Sequence, residues 1–228
     1  MTDNPTTDDR LAALTEARCA ALTEARRAAL TEARLAALTE TPLPATAHPP
    51  VFDTADVCYA LDDTPIGRLL YAVTDSGALV AALFAPDDPA ESHALDRIAA
   101  ATSPRVLNVP RRVDRVRREF DDYLAGRRER FDVNVDWSLV GRFQSEVLGE
   151  LAERVPYGQT STYGALATAL GRPSASRAVG AALGANPLCV VLPCHRVVAS
   201  TGALTGYAGG LDAKRYLLEL ESRHTRLV

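Results

Sequence analysis

Over residues 163–183 the chain has little freedom in what it can form. Tyr163-Gly164-Ala165-Leu166-Ala167-Thr168-Ala169-Leu170 is a short helix-forming run that Ser161 or Thr162 can cap, and Gly171-Arg172-Pro173 then turns the chain into a second helix over 174–183. Two such helices joined by a tight turn make a helix-turn-helix. The second one carries Ala178, Gly180, Ala181, Ala182 and Gly184, a surface nearly without side chains. That baldness suits close helix packing, and it equally suits close approach of a backbone to a nucleic acid.

The stretch that follows constrains the chemistry. An apolar run ends at Val190-Val191-Leu192-Pro193, and Cys194, His195 and Arg196 stand next to one another. A thiol is a strong nucleophile as the thiolate, so a cysteine beside a base and a cation is equipped for group transfer. Taken alone, the same pair also describes a cysteine that simply packs in a core. Cys189, five residues earlier in the apolar run, reads as a core thiol.

Charge and composition narrow the partners. A 228-residue chain with 47% hydrophobic residues can bury one large core or two small ones. No apolar run approaches the roughly 20 residues of a membrane span, and Met1-Thr2-Asp3-Asn4 lacks a secretory pattern, so the expectation is a soluble, cytoplasmic protein. A net charge of −4 excludes a protein that coats nucleic acid by charge alone. Residues 138–228 are nonetheless positive in balance, with nine basic and six acidic side chains, so any phosphate contact is expected there and should be salt-sensitive. Cys19, Cys58, Cys189 and Cys194 form no CxxC pair, which argues against a disulfide framework or a zinc site. No metal and no cofactor are expected.

The first fifty residues stand apart. Residues 11–40 repeat the octad LAALTEAR, rich in helix formers. At about 100° per residue each octad turns about 80° past the last, so no lasting apolar stripe forms and a solvated helical extension is expected. Prolines 42, 44, 49 and 50 then make a stiff linker. Beyond it, residues 67–73 and 78–84, separated by Thr74-Asp75-Ser76-Gly77, read as a β-hairpin. Residues 111–125 read as a helix with Val113, Val116, Phe120 and Leu124 on one side and an arginine-rich solvated face bearing intrahelical pairs. A further helix is expected over 143–155.

Pro193-Cys194-His195-Arg196-Val197 resembles the active-site signature of the O6-alkylguanine-DNA alkyltransferases, also called methylated-DNA–protein-cysteine methyltransferases. The resemblance runs through Val155-Pro156-Tyr157-Gly158, Thr162-Tyr163, Ser176-Arg177-Ala178-Val179-Gly180, Asn186-Pro187 and Gly206-Tyr207-Ala208-Gly209-Gly210 to Leu217-Leu218 and Glu221. It is specific over 143–221, weaker over 57–135 and absent before Pro50. It implies an α/β N-terminal domain over 51–137, a small sheet plus helix of ribonuclease-H-like type. A mainly α, helix-turn-helix and winged-helix-like domain over 138–228 would then bind DNA and accept the alkyl group, with 1–50 as extension and linker.

The same resemblance assigns roles. Cys194 is the alkyl acceptor, His195 its base through a bridging water, Glu221 the residue that orients His195, and Tyr163 the proton donor to the departing guanine. Arg177 is the finger that fills the space of a flipped base. With Tyr163, Ala178, Gly180, Ala181, Asn186 and Arg196 it forms the expected DNA-binding set, and Asn186 is also the hinge to the active-site turn. Val197, Tyr207, Ala208 and Gly209 line the base pocket; Ala208 replaces a serine of mammalian members. The implied activity is direct, single-turnover repair of O6-alkylguanine, with O4-alkylthymine as a second candidate substrate. The partner is double-stranded DNA held through its minor groove, and the protein is expected to be a monomer in solution. The alternative is a non-catalytic lesion-binding or regulatory DNA-binding protein.

Overall fold

A computed structural model of the chain describes residues 56–225. The octad repeat and the proline-rich linker over 1–50 lie outside the described residues. The described residues form one compact unit.

A four-stranded mixed sheet comes first, built from β1 (Val57–Thr64), β2 (Gly67–Thr74), β3 (Leu79–Phe84) and β4 (Val106–Asn108) in the order β3-β2-β1-β4. β1 and β3 run antiparallel to β2, and β4 lies parallel to β1. The expected hairpin is β2–β3. β2 is buried on both faces, and its alternation sorts the core. Leu69, Tyr71 and Val73 face helix α2 (Pro110–Leu124), whereas Leu70 and Ala72 join the cluster that contains Ala94 and Ile98 of α1 (Asp88–Ala101). Tyr71 meets Phe120 of α2 with ring centroids 4.7 Å apart.

The arginines of α2 do more than line a solvated face. Arg115–Glu119 and Arg117–Asp114 are the expected intrahelical pairs. Arg117 also bonds Asp62 of β1, and Arg112 bonds Asp75 in the β2–β3 turn, so the helix is tied to the sheet it packs on.

The rest is helical around short β links. α3 (Arg142–Arg154) leads to β5 (Ser161–Thr162), α4 (Tyr163–Ala169), a 3-10 turn (Pro173–Ala175) and α5 (Ser176–Gly184). A second 3-10 turn (Cys194–Arg196), β6 (Val197–Val198) and α6 (Gly210–Thr225) follow, with β6 pairing parallel to β5. Thr162 caps α4 by accepting from Ala165 N at 3.1 Å. The larger core cluster runs from Cys58 and Tyr71 through Phe120, Leu148, Leu166 and Val179 to Cys194 and Leu217, so it crosses the boundary expected at residue 137.

Candidate active site

Cys194 sits at the end of a loop pinned to the sheet. Ala82 of β3 donates to Pro187 O at 2.8 Å and accepts from Cys189 N at 3.0 Å. Leu192 N returns to Leu188 O and Cys194 N to Leu192 O, which closes the loop on itself. Val190 at its centre has φ 73°. A β-branched residue in the left-handed region is strained by about 1–3 kcal/mol, and these bonds at either side hold it there. Strain of this kind fixes where Cys194 emerges.

Asn186 clamps the same loop from within. It is buried, its Oδ1 accepts from Leu188 N, and its Nδ2 donates to Leu192 O at 2.8 Å and to Cys194 Sγ at 3.2 Å. The hinge role fits this geometry; a direct DNA contact does not, because no polar atom of a buried, fully engaged amide can reach a duplex. Cys189 is buried as a core thiol should be, yet it is not passive. Its Sγ donates to Asn186 O at 3.5 Å, and its contact with Cys194 pushes its thiol well above the ordinary range. The Cys189 contact is the chief cause holding Cys194 below the ordinary thiol range, helped by Asn186 and by the charge of Lys214, against burial.

Glu221 is the hub of the cluster. His195 Nε2 lies 2.6 Å from Glu221 Oε1, Arg196 Nε donates to Oε2 at 2.9 Å, Gly158 N donates to Oε2 at 3.0 Å, and the Tyr123 hydroxyl donates to Oε1. Burial opposes ionisation of Glu221, but His195, Arg196 and Tyr123 together bring its pKa down to about 2. Because the carboxylate only accepts, His195 Nε2 carries the proton and Nδ1 is the basic atom. Burial pushes His195 down, so the imidazole is neutral at neutral pH. Nδ1 is buried with no hydrogen-bond partner among the described residues, as a base awaiting a proton should be.

Arg196 requires a correction. Its side chain is buried, bonded to Glu221 and to Val155 O at 2.8 Å, with its guanidinium 5.8 Å from the Tyr157 ring centroid. A guanidinium so engaged neutralises Glu221 and cannot bind a phosphate.

The remaining expected residues gather on the other side of Cys194. A crevice of about 40 Å³ over the sulfur is lined by Tyr163, Gly180, Leu183, Gly184, Gly206, Tyr207 and Ala208. It shares Tyr163, Gly180, Gly184 and Gly206 with a groove of about 660 Å³ that includes Arg177, Ser176, Gly164, Ser200 and Thr205. Arg177, Ala178 and Ala181 are exposed, and Gly180 packs under the Tyr163 ring. The Tyr163 hydroxyl is 2.9 Å from Thr205 Oγ1. Tyr207 has a buried hydroxyl without a partner among the described residues. Val197 is fully buried and contributes its carbonyl. Gly209 lies against Phe84 of β3 so closely that an added Cβ would stand 2.4 Å from the ring, and Phe84 also meets Tyr207 edge-on at 5.5 Å.

Four residues of this arrangement escape a reading of the sequence: Tyr123, Phe84, Thr205 and Lys214. Lys214 is fully buried, and its ammonium donates to Val197 O at 2.7 Å and Thr205 O at 2.9 Å. Its signal was available, since it is the sole lysine among 25 basic residues. Tyr123, Phe84 and Thr205 carry no local pattern that sets them apart.

A cysteine with a depressed pKa, backed by a His–Glu pair and set beside a helix-turn-helix with a bare exposed face, defines a thiol-nucleophile protein of the DNA-binding kind. Comparison with known proteins agrees. A family model described as "6-O-methylguanine DNA methyltransferase, DNA binding domain" matches residues 142–223. The methylated-DNA–protein-cysteine methyltransferase of Methanosarcina acetivorans is 37% identical over 170 residues, covering 72% of this chain and 97% of that protein. The inducible Bacillus subtilis protein of the same name is 48% identical over 105 residues, 46% of this chain and 58% of the relative, so the match spans little more than half of that protein. A crystal structure of the Mycobacterium tuberculosis O6-methylguanine methyltransferase superimposes with a TM-score of 0.61 at 36% identity, covering 73% of this chain and 93% of that one. Mycobacterium tuberculosis OGT in complex with DNA gives the same score at 35% identity. The chain belongs to the methylated-DNA–protein-cysteine methyltransferase family.

Proposed function

We infer that this protein repairs DNA by moving the alkyl group from O6-alkylguanine, and from O4-alkylthymine as a second substrate, onto Cys194. The observation that carries the reading is the Cys194 sulfur at the floor of a crevice beneath the bare face of α5, with a neutral His195 held by Glu221 behind it. In the step, His195 Nδ1 takes the Cys194 proton through a water, and the thiolate attacks the alkyl carbon. An S–C bond forms while the C–O6 bond breaks. The electron pair leaves on the guanine, which is protonated by the Tyr163 hydroxyl. The product is a thioether with no hydrolytic way back, so each molecule acts once. No cofactor enters this balance.

The duplex is engaged through its minor groove by Ala178, Gly180 and Ala181, and Arg177 fills the space of the extruded nucleotide. A crevice of about 40 Å³ is near the volume of a single water, so the walls formed by Tyr163 and the Tyr207 loop must part to admit a base. In this reading residues 51–137 are a ribonuclease-H-like support, residues 138–228 are a winged-helix-like acceptor domain with β5–β6 as its small sheet, and 1–50 is an appendage. The protein works as a monomer in a reducing compartment such as the cytoplasm. A lesion-binding protein without chemistry has no use for a sulfur activated in this way.

Intact-mass spectrometry with peptide mapping, after mixing with a duplex holding one O6-methylguanine, should find one methyl on Cys194 per guanine repaired and none in Cys194→Ala. Tight binding with no methyl transferred by the wild type would sink the catalytic reading. Arg177→Ala should slow repair of the duplex by on the order of tenfold or more, and slow reaction with a free O6-alkylguanine base far less, because only the duplex requires extrusion. Equal slowing on both substrates would remove Arg177 from that role.

A further inference from the structure

Tyr123 is the one group of the Glu221 cluster that comes from the sheet-and-helix part of the chain. It lies one residue from the end of α2 and is buried, with its ring stacked on Phe131 (centroids 4.9 Å, 28°) and edge-on to Tyr157 (5.8 Å, 84°). These contacts leave its hydroxyl a single direction. It donates to Glu221 Oε1, the same oxygen that receives His195 Nε2, while Arg196 Nη2 approaches the hydroxyl at 3.4 Å. The carrier helix is fixed as well, because Tyr216 of α6 donates to Leu124 O at 3.1 Å, and α6 also bears Glu221.

We propose that Tyr123 is a positioning residue for alkyl transfer: its hydroxyl sets the rotation and charge of the Glu221 carboxylate, and through Glu221 the orientation of His195. This rests on the alkyl-transfer reading above. Gly158 N and Arg196 Nε donate to Oε2 at 3.0 and 2.9 Å, and Arg196 Nε also reaches Oε1 at a longer 3.2 Å, which fixes the carboxylate from the Oε2 side. The Tyr123 hydroxyl shares Oε1 with His195. Donors on one oxygen share its negative charge, so Tyr123 tempers how strongly Glu221 pulls on the imidazole. Burial and the Glu221 charge push the Tyr123 phenol well above its ordinary range, so it remains a donor wherever the protein is folded. The ionisable groups facing the His195–Glu221 pair are Tyr123 from α2, Tyr157 from the loop after α3, Cys194 and Arg196 on the active-site turn, Tyr207 on the pocket loop and Lys214 on α6. Of these, Tyr123 alone is supplied by the region before residue 137. The supporting segment thereby takes part in the chemistry through a single hydroxyl.

Tyr123→Phe keeps both ring contacts and removes only that hydroxyl. At saturating duplex, the first-order rate constant of methyl transfer should fall by about tenfold at pH 7.5, within the range of a lost orienting hydrogen bond. Affinity for unmodified duplex should stay within about twofold. Freed of the competing donor, Oε1 holds the His195 proton more strongly, so the imidazole stays protonated to higher pH and the half-maximal rate moves to higher pH. An unchanged rate constant, or one lowered by the same factor at every pH, would overturn the proposal, since a loosened core would act in that uniform way. The ¹⁵N titration of His195 in the full-length wild type and variant needs no DNA and separates the two readings. If the wild type transfers no methyl, the function falls, yet an upward move of the His195 titration in Tyr123→Phe still supports the positioning role. If that titration does not move, the positioning role falls whatever the transfer assay gives.

Discussion

Glu221→Gln is expected to lower stability by about 3–5 kcal/mol and to slow alkyl transfer by on the order of a hundredfold or more. Four neighbours donate to this side chain: the Tyr123 hydroxyl, His195 Nε2, the Arg196 guanidinium and Gly158 N. A carboxylate can accept all of them. A glutamine turns one oxygen into a donor facing donors and leaves Arg196 a buried cation without its anion, and that uncompensated charge is what makes breaking one half of a buried pair costly. In a chain of this size the loss should lower the melting temperature by roughly 10 °C. It also carries a pH signature. The folded pKa of Glu221, about 2, lies below its ordinary 4.5, so the carboxylate's contribution is complete above pH 4.5 and is lost as pH falls through 2. That difference corresponds to about 3 kcal/mol, so the gap in stability between wild type and variant should close over the same window. Melting curves from pH 2 to 7 read both effects. A variant that melts with the wild type at pH 7, or a gap that does not narrow on acidification, would show that Glu221 is not the keystone described here.

The cluster also shows which parts of the site a sequence can express. Cys194, His195 and the two helices on either side of Gly171-Arg172-Pro173 are legible because their signals are local: adjacent residues, a capping threonine, a proline turn. The hairpin is legible for the same reason, since a turn between two apolar runs leaves few alternatives. β1 and α1 are less so. β1 ends in Asp62-Asp63-Thr64, and this acidic pair, of which Arg117 binds Asp62, hides its strand character; α1 buries only Ala94 and Ile98, too thin a stripe to be read as amphipathic. Tyr123 fails for another reason. Its period within α2 marks it as a core aromatic, which it is, and nothing nearby says that its hydroxyl meets a carboxylate 98 residues away. Arg196 fails in the opposite sense, because a basic residue in a segment that resembles a DNA-binding family suggests a phosphate, whereas the turn directs it into the protein. Tertiary pairing of charges sets both outcomes, and sequence spacing does not encode it.

Lys214→Met should slow methyl transfer at neutral pH by on the order of a hundredfold and recover much of the rate as pH rises. The ammonium bridges two walls of the site, donating to Val197 O behind Cys194 and to Thr205 O, whose side chain meets Tyr163. It is also the cation whose field favours the Cys194 thiolate, alongside the Cys189 contact and the hydrogen bond from Asn186. Methionine has a similar length and no charge, so it preserves packing along the aliphatic stem while removing the donor that bridges the two carbonyls, a cost of about 1–3 kcal/mol. Two consequences can be separated. Loosened walls lower the rate equally at every pH. A lost cation leaves the thiol harder to ionise, so the deficit is greatest at low pH and shrinks once the solution itself removes the proton. Single-turnover transfer measured from pH 6 to 9 distinguishes them, and a deficit constant across that range would assign Lys214 to the walls alone. Burial pushes Lys214 itself below the ordinary lysine range, and the thiolate it favours pulls it back up, so cation and thiolate sustain each other's charge. Methylation of Cys194 removes the negative half of that pair. The alkylated protein should therefore hold its lysine proton less tightly than the unreacted one.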